Sequence, residues 1–123
     1  MPSSADLCAH VLDLISDLGN VWSKPMFGGF GVYCGEAMIA LISGNALYFR
    51  VDEQNRGAFQ EVGSEPFRYR RKDRWVTLSY WRAPDSALDS AEEALQWSLG
   101  ARAAAERAAK GRMKRRNQSA ERG

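Results

Sequence analysis

The side chains able to do acid–base or covalent chemistry are few and scattered in this 123-residue chain. His10, the one histidine, borders the apolar stripe of a helical pattern, without a Cys, Asp or Glu at a spacing typical of metal sites. Cys34 has no histidine near it in sequence, and the carboxylates stand mostly at predicted caps, turns and helix faces. Catalysis needs convergent acids or a nucleophile beside a base. We therefore expect a non-enzyme with no catalytic residues, metal site or cofactor, and interpret His10 as structural.

Positive charge and aromatic rings coincide in one predicted hairpin. Arginine can contact phosphates while Tyr and Trp rings stack on bases, a combination found in proteins that bind single-stranded nucleic acid. The alternative is a solvated turn with outward arginines and with Tyr69 and Trp75 in the core. This candidate surface, for nucleic acid or a protein partner, consists of Arg68, Tyr69, Arg70, Arg71, Lys72 and Arg74.

Two further stretches are candidate surfaces. Trp81 beside Arg82 has a composition enriched at protein interfaces, although Trp81 could equally be buried under the last helix. The segment Lys110–Arg116 is cationic enough to attract nucleic acid nonspecifically, or it is a solubilising, frayed helix end. Its candidate residues are Lys114, Arg115 and Arg116.

The net charge of +2 conceals an asymmetry between the two parts of the chain. Residues 110–123 hold six basic residues and one acidic residue, which gives +5 and leaves −3 for the rest. We therefore expect nucleic-acid binding, if it occurs, to come from the tail and the basic hairpin.

A glycine-rich stretch, Phe27, Gly28, Gly29, Phe30 and Gly31, is the most distinctive motif. Its alternation with aromatic residues predicts a strand, and glycines inside a strand need a local reason. We favour close packing of a backbone, helix or ring over the approach of a ligand. The spacing does not fit dinucleotide or phosphate loops, and only its centre fits the aromatic strand of RNA-recognition motifs.

The hydrophobic periodicities predict a single α+β domain with the order αβββαββα and a five-stranded antiparallel sheet. Short turns between the strand patterns indicate consecutive hairpins. The predicted strands lie near 25–34, 37–43, 46–51, 67–70 and 75–81. The predicted helices lie near 4–18, where Ser3 and Asp6 resemble a capping box, near 53–62 and near 89–110. We expect a folded body over 1–110 and a disordered basic tail over 111–123, with the alanine-only face beyond Gly100 docking weakly or projecting.

The composition is that of an ordinary globular protein, with 45% hydrophobic and 26% charged residues. No apolar run approaches the ~20 residues that span a membrane, and no signal-peptide pattern begins the chain. We therefore expect a cytoplasmic protein without a membrane partner, in which Cys8 and Cys34 are reduced and unlinked.

Several separated motifs resemble the N-terminal domain of the TfoX/Sxy competence regulators, over about residues 5 to 110. They are Met26–Tyr33, Leu47–Asp52, Gly63–Phe67, Ser79–Pro84 and the helix from Leu88 to Trp97. The resemblance implies an αβββαββα fold, without catalytic residues, in a cytoplasmic bacterial protein that regulates transcription of DNA-uptake genes. It also implies a protein partner, either transcription machinery or an activator such as the cyclic-AMP receptor protein. Better-known members carry a second, helical C-terminal domain, whereas here a short basic tail follows.

The sequence thus favours a regulatory protein-interaction domain of the TfoX N-terminal type. The alternative is a small nucleic-acid-binding module that uses the Arg68–Arg74 hairpin and the basic tail. The oligomeric state stays open, with a homodimer among the alternatives.

Overall fold

The computed structural model describes residues 3–26 and 28–122, with side chains as far as residue 114. Three α-helices and six strands follow one another, with short 3₁₀ turns at Ser16–Leu18 and Asp85–Leu88. In chain order they are α1 (Ser4–Leu14), β1 (Val21–Met26), β2 (Gly29–Cys34), β3 (Ala37–Ser43), β4 (Ala46–Arg50), α2 (Arg56–Glu61), β5 (Pro66–Arg71), β6 (Arg74–Arg82) and α3 (Ala91–Arg122).

The strands form one antiparallel sheet in the order β1-β2-β3-β4-β6-β5, which confirms the α+β class and the antiparallel pairing. The predicted count of five strands and the order αβββαββα are wrong, because four strands precede α2: the predicted strand 25–34 contains the end of β1, a turn and β2. Gly28, at a φ of 76°, supplies the left-handed residue of the turn between them. Phe27 of the glycine motif lies outside the described residues. Pro25 is accommodated because β1 is an edge strand.

Close packing requires glycine at position 29 and favours it at position 31. A Cβ on Gly29 would lie 1.9 Å from the carbonyl oxygen of Ile42 on β3. A Cβ on Gly31 would lie 3.2 Å from the terminal methyl of Met26 and 3.3 Å from that of Met38. The packing interpretation of this motif therefore accounts for both positions.

The hydrophobic core lies between one face of the sheet and the helices α1 and α3. Cross-strand neighbours Val32, Ala40 and Phe49 point to this side and are fully buried. Helix α1 begins at the predicted capping box, where the Asp6 backbone N–H donates to Ser3 Oγ and the Ser3 N–H donates to Asp6 Oδ2. The α-helix ends at Leu14 rather than near residue 18, and a 3₁₀ turn completes the predicted segment.

Helix α3 packs more closely than the sequence predicts. Its alanines at 101, 104 and 105 are buried, and the helix lies against β3 and β4. Small side chains bury little area each, but they let the helix approach the sheet closely. The alternative that the helix projects directly beyond Gly100 is therefore wrong. The helix also continues to Arg122, so residues 111–122, predicted to be disordered, are helical.

An ion pair fastens α3 to the loop after β4. Arg107 donates to Asp52 through Nε at 2.5 Å and through Nη2 at 2.8 Å. The Asp52 carboxylate also accepts the backbone N–H groups of Gln54 and Asn55. The hydrogen bond from Arg107 is the main reason that the pKa of Asp52 lies below its usual value.

Both thiols are free in the structure, as predicted. Cys8 is buried in the core, and Cys34 is half-buried with its Sγ donating to the carbonyl oxygen of Gly19 at 3.4 Å. None of the helices in the described part of the chain combines the length and apolar character needed to cross a membrane.

The glycine packing predicts opposite effects for two alanine substitutions. Gly29→Ala forces a Cβ into the β3 backbone and should lower the free energy of unfolding by about 3 kcal/mol or more. Gly57→Ala, in α2 with no atom within 4 Å of the new Cβ, should be neutral or stabilise by up to about 1 kcal/mol. Urea denaturation measures both, and equal effects would contradict the close approach at Gly29.

The Asp52–Arg107 pair predicts a pH-dependent contribution to stability. Because the folded-state pKa of Asp52 is lowered, the pair stabilises above the unfolded-state pKa of about 4 and loses its effect as pH falls through the folded-state value. Arg107→Met should therefore cost about 1 kcal/mol at pH 7 and progressively less below about pH 4.

Arg102→Met is the matched control for that measurement. It removes an exposed i,i+4 pair with Glu106 whose atoms are 3.7 Å apart, and it should cost about 0.5 kcal/mol or less. A cost for Arg107→Met that stayed constant down to pH 2 would show that side-chain packing, and not the ion pair, holds α3 at this point.

Candidate interaction surfaces

The hairpin of β5 and β6 extends beyond the layer of α1 and α3, which pack on β1 to β4. A two-residue turn joins its strands, with Lys72 at a φ of 57°. The register pairs Arg68 with Thr77 and Arg70 with Trp75, so these four side chains share the face on which the helices lie. We call this set of four residues the Trp75 patch.

Trp75 is the most exposed tryptophan side chain in the described part of the chain, at 62%. The Arg70 guanidinium lies 5.8 Å from its ring centroid, within the range of a cation–π contact. Tyr69 points to the opposite face and is half-buried, with its ring centroid 6.3 Å from that of Phe67. The arginines point outward as the solvated-turn alternative predicts, but Trp75 does not belong to the core.

The structure separates the remaining predicted surface residues. Trp81 is half-buried on the helix side, with its ring 6.5 Å from Phe59. Phe59 in turn lies 4.6 Å from Trp97 of α3, so Trp81 contributes to packing. Arg82 is exposed on the other face of the sheet. The remaining hairpin cations Arg71, Lys72 and Arg74 are exposed at its tip, Lys114 is exposed on α3, and the side chains of Arg115 and Arg116 lie outside the described residues.

A second surface, which the sequence analysis did not single out, is the sheet face opposite α1 and α3; we call it the open face. The register places strand residues of the opposite phase there, and most of their large apolar side chains are aromatic or methionine. Its apolar side chains include Trp22, Met26, Tyr33, Met38, Leu41, Tyr48, Phe67, Tyr69, Val76, Leu78 and Tyr80. The alternation of residues along each strand in the sequence predicts that these positions share one face of the sheet. It does not predict which face the helices leave uncovered.

Rings on the open face pack against one another. Trp22 and Tyr33 are stacked with centroids 4.4 Å apart, and Trp22 is anchored by donating from Nε1 to the carbonyl oxygen of Gly35. Tyr48 and Phe67 meet edge to face at 5.0 Å. Leu41 is only 2% exposed on this face, so the rings and methionines around it form a small apolar layer of their own.

The charges of the protein are segregated by element. No Asp or Glu occurs in any of the six strands, whereas five cationic residues belong to the open face. These are Lys24, Arg50, Arg71, Arg74 and Arg82. The carboxylates lie in helices, turns and loops, so the acidic character of the body does not extend to its sheet.

Tyr80 links two parts of the open face. Its hydroxyl donates to the carbonyl oxygen of Met38 at 3.4 Å and accepts from Arg50 Nη1 at 3.2 Å. Burial is the main reason that the pKa of Tyr80 is raised, so its phenol is neutral at physiological pH. This hydroxyl is a structural hydrogen-bonding group.

Among the described residues, no three His, Cys, Asp or Glu side chains come close enough to hold a metal ion. His10 Nε2 lies 2.7 Å from the carbonyl oxygen of Leu88, to which its Nε2–H tautomer donates. This contact connects α1 to the turn before α3 and gives His10 a structural role.

Two comparisons relate this chain to known proteins. A family model described as the TfoX N-terminal domain matches residues 13–106. The DNA transformation protein TfoX1 of Aliivibrio fischeri (strain ATCC 700601 / ES114) is 29% identical over 91 residues, which cover 68% of this chain and 44% of that protein. The chain thus matches less than half the length of this curated relative.

Proposed function

This chain belongs to the TfoX N-terminal domain family, and we propose that it is a regulatory protein-interaction domain acting in the transcriptional control of DNA uptake. Family membership and the similarity to a DNA transformation protein support a competence-related regulatory role rather than a catalytic one. The relative is more than twice as long as the matched segment, so the step at which this chain acts is part of the proposal.

The Trp75 patch is the observation that carries the protein-interaction role. Burying an exposed tryptophan removes roughly 200 Å² of surface from water, and Trp and Arg are enriched among the residues that dominate binding energy at interfaces. Trp75 and Arg70 stand together near the tip of the hairpin, away from Trp81 at its other end, which packs against Phe59 of α2. A protein partner that accepts the ring in a pocket would gain both apolar contact and the arginine's hydrogen bonds.

The family resemblance suggests the class of partner. We propose transcription machinery or an activator such as the cyclic-AMP receptor protein, bound through the hairpin. The contact would place this domain beside a promoter without requiring that the domain itself read DNA sequence.

Replacing Trp75 should separate partner binding from folding. Trp75→Ala should reduce the protein recovered with the tagged chain from its host by at least about tenfold, since central interface residues contribute roughly 2 kcal/mol or more. Because the ring is 62% exposed, the thermal midpoint should change by less than about 3 °C. Quantitative mass spectrometry of the retained proteins, beside a reporter for DNA-uptake genes, measures the effect.

Val62→Ala is the control, because Val62 is also an exposed apolar side chain, at 50%, but lies at the end of α2. It should leave both recovery and reporter signal unchanged. Retention of a transcription regulator by Trp75→Ala at the wild-type level would contradict a docking role for the hairpin.

Nucleic-acid binding is the second candidate function, because the hairpin's cations are exposed beside the unburied ring of Trp75. Arg68, Arg70 and Arg74 could contact phosphates while Trp75 stacks on a base. The helical segment 110–116 would add further cationic contacts.

This second function predicts binding that weakens steeply with salt, by roughly 0.9 log units per log unit of salt for each duplex phosphate contact. Truncation after Ala109 should remove most of the affinity. Trp75→Ala should weaken single-strand binding by roughly 1–3 kcal/mol, and Tyr69→Ala by less because Tyr69 is half-buried. Fluorescence anisotropy with labelled oligonucleotides measures this, and absence of binding at low salt would eliminate the function.

A further inference from the structure

The open face of the sheet has the character of a docking surface distinct from the Trp75 patch. The core side chains Val32, Ile42 and Phe49 point toward α1 and α3, so these helices cover the other face. On the open face, Trp22 is 41% exposed, and Tyr33, Met38 and Tyr48 are half-buried. Contiguous apolar area of this kind on a sheet is typical of a surface that binds a partner.

The positively charged side chains around this apolar area favour a negatively charged ligand. Lys24 lies at one edge, with Nζ 5.2 Å from the Tyr33 centroid, and Arg82 lies beside Tyr48 in the register. Arg50 and Arg112 line a groove with Tyr33 and Met38, where α3 passes one end of the sheet. The nearby carboxylates come from turns and loops: Glu36 lines that groove, Glu65 shares a pocket with Arg82, Asp52 and Glu53 share one with Arg50, and Asp73 lies beside Arg74 at the hairpin tip. The five strand cations of the open face and Arg112 outnumber these five carboxylates, of which Asp52 is already paired with Arg107.

The same arrangement disfavours two other occupants. A second copy of the chain would bring these cations against like charges, which costs binding energy. The bases of a single nucleic-acid strand need uncovered ring planes on which to stack. On this face Trp22 and Tyr33 stack on each other, and the rings of Tyr48 and Phe67 pack edge to face. Methionine side chains between the rings suit adaptable apolar packing against a helix.

We infer that the open face binds an acidic amphipathic helix of a partner protein. Its apolar stripe would pack on Tyr33, Met38 and Tyr48, while its Glu and Asp side chains would pair with Lys24 and Arg82. The inference rests on the proposed function as an interaction domain and adds a second contact surface with a defined ligand chemistry.

A peptide titration of the full chain tests this inference. The probe is a helical peptide of about 18 residues with Leu and Phe on one face and Glu on the other, long enough to retain helix in water. In ¹⁵N-correlated NMR spectra it should shift amides of β1 to β4 and β6 at open-face positions while leaving α1 unchanged. A matched peptide with Gln at every Glu position should bind at least about fivefold more weakly.

Charge reversals locate the contact. Lys24→Glu and Arg82→Glu should each weaken peptide binding about five- to tenfold, since each removes an attraction and adds a repulsion. Arg56→Glu is the control, because Arg56 is exposed on α2 and does not belong to the strands of the open face, and it should change the affinity less than twofold.

Three results would overturn the inference. They are equal binding of the Gln peptide, tighter binding of a dT oligonucleotide at the same amides, and self-association through this face detected by light scattering. The two proposals can fail separately. If the acidic peptide does not bind, the open-face inference fails. The proposed function still stands if the wild-type chain retains a host partner that Trp75→Ala loses.

Discussion

The fold depends on the packing of α1 and α3 against one face, and only one face, of a six-stranded antiparallel sheet. Strand residues of one phase, such as Val32, Ala40 and Phe49, are fully buried in one cluster with side chains of α1 and α3. Helix α3 comes close because its contact residues are alanines, and the Arg107–Asp52 pair fastens it beyond the end of β4. Two features follow from this one-sided cover. The open face carries no packed helix, and the tip of the β5–β6 hairpin lies beyond the helical layer.

The one-sided cover also organises charge. Since the strands of the described chain carry no Asp or Glu and five of their Lys and Arg residues lie on the open face, the strand charges of that face are all positive, although the body as a whole is mildly acidic. Carboxylates instead serve local structure, as at the Ser3–Asp6 capping box and at Asp52, which accepts from two backbone N–H groups and Arg107. The protein is therefore suited to bind partners through its sheet, and we place both proposed contacts there.

Local patterns predicted much of this fold. Period-two runs and turn residues identified the antiparallel hairpins, and a capping box marked the start of α1. The turn at Gly28 was missed because glycines beside aromatic residues fit a strand interior as well as a turn. The docking of α3 was missed because each alanine buries little apolar area. How closely its alanines let the helix approach the sheet depends on the tertiary structure, which a helical pattern does not contain.

The candidate surfaces were predicted less completely than the fold. Arg68, Arg70 and Arg74 are exposed as expected, but alternation alone could not show that Trp75 lies beyond the helices while Trp81 packs beneath them. That difference depends on where α2 and α3 end relative to the hairpin, which is a property of the assembled layers. For the same reason the aromatic residues of the open face could not be recognised in advance as a surface.

The central claim is that partners bind the sheet and its projecting hairpin rather than the helices. Hydrogen–deuterium exchange of the full chain, with and without the proposed partner protein, tests this most directly. The account predicts slower exchange on binding in the β1–β2 and β5–β6 hairpins, with α1 and the buried part of α3 unchanged. Protection confined to α1 and α3, with both hairpins exchanging as in the free protein, would contradict it.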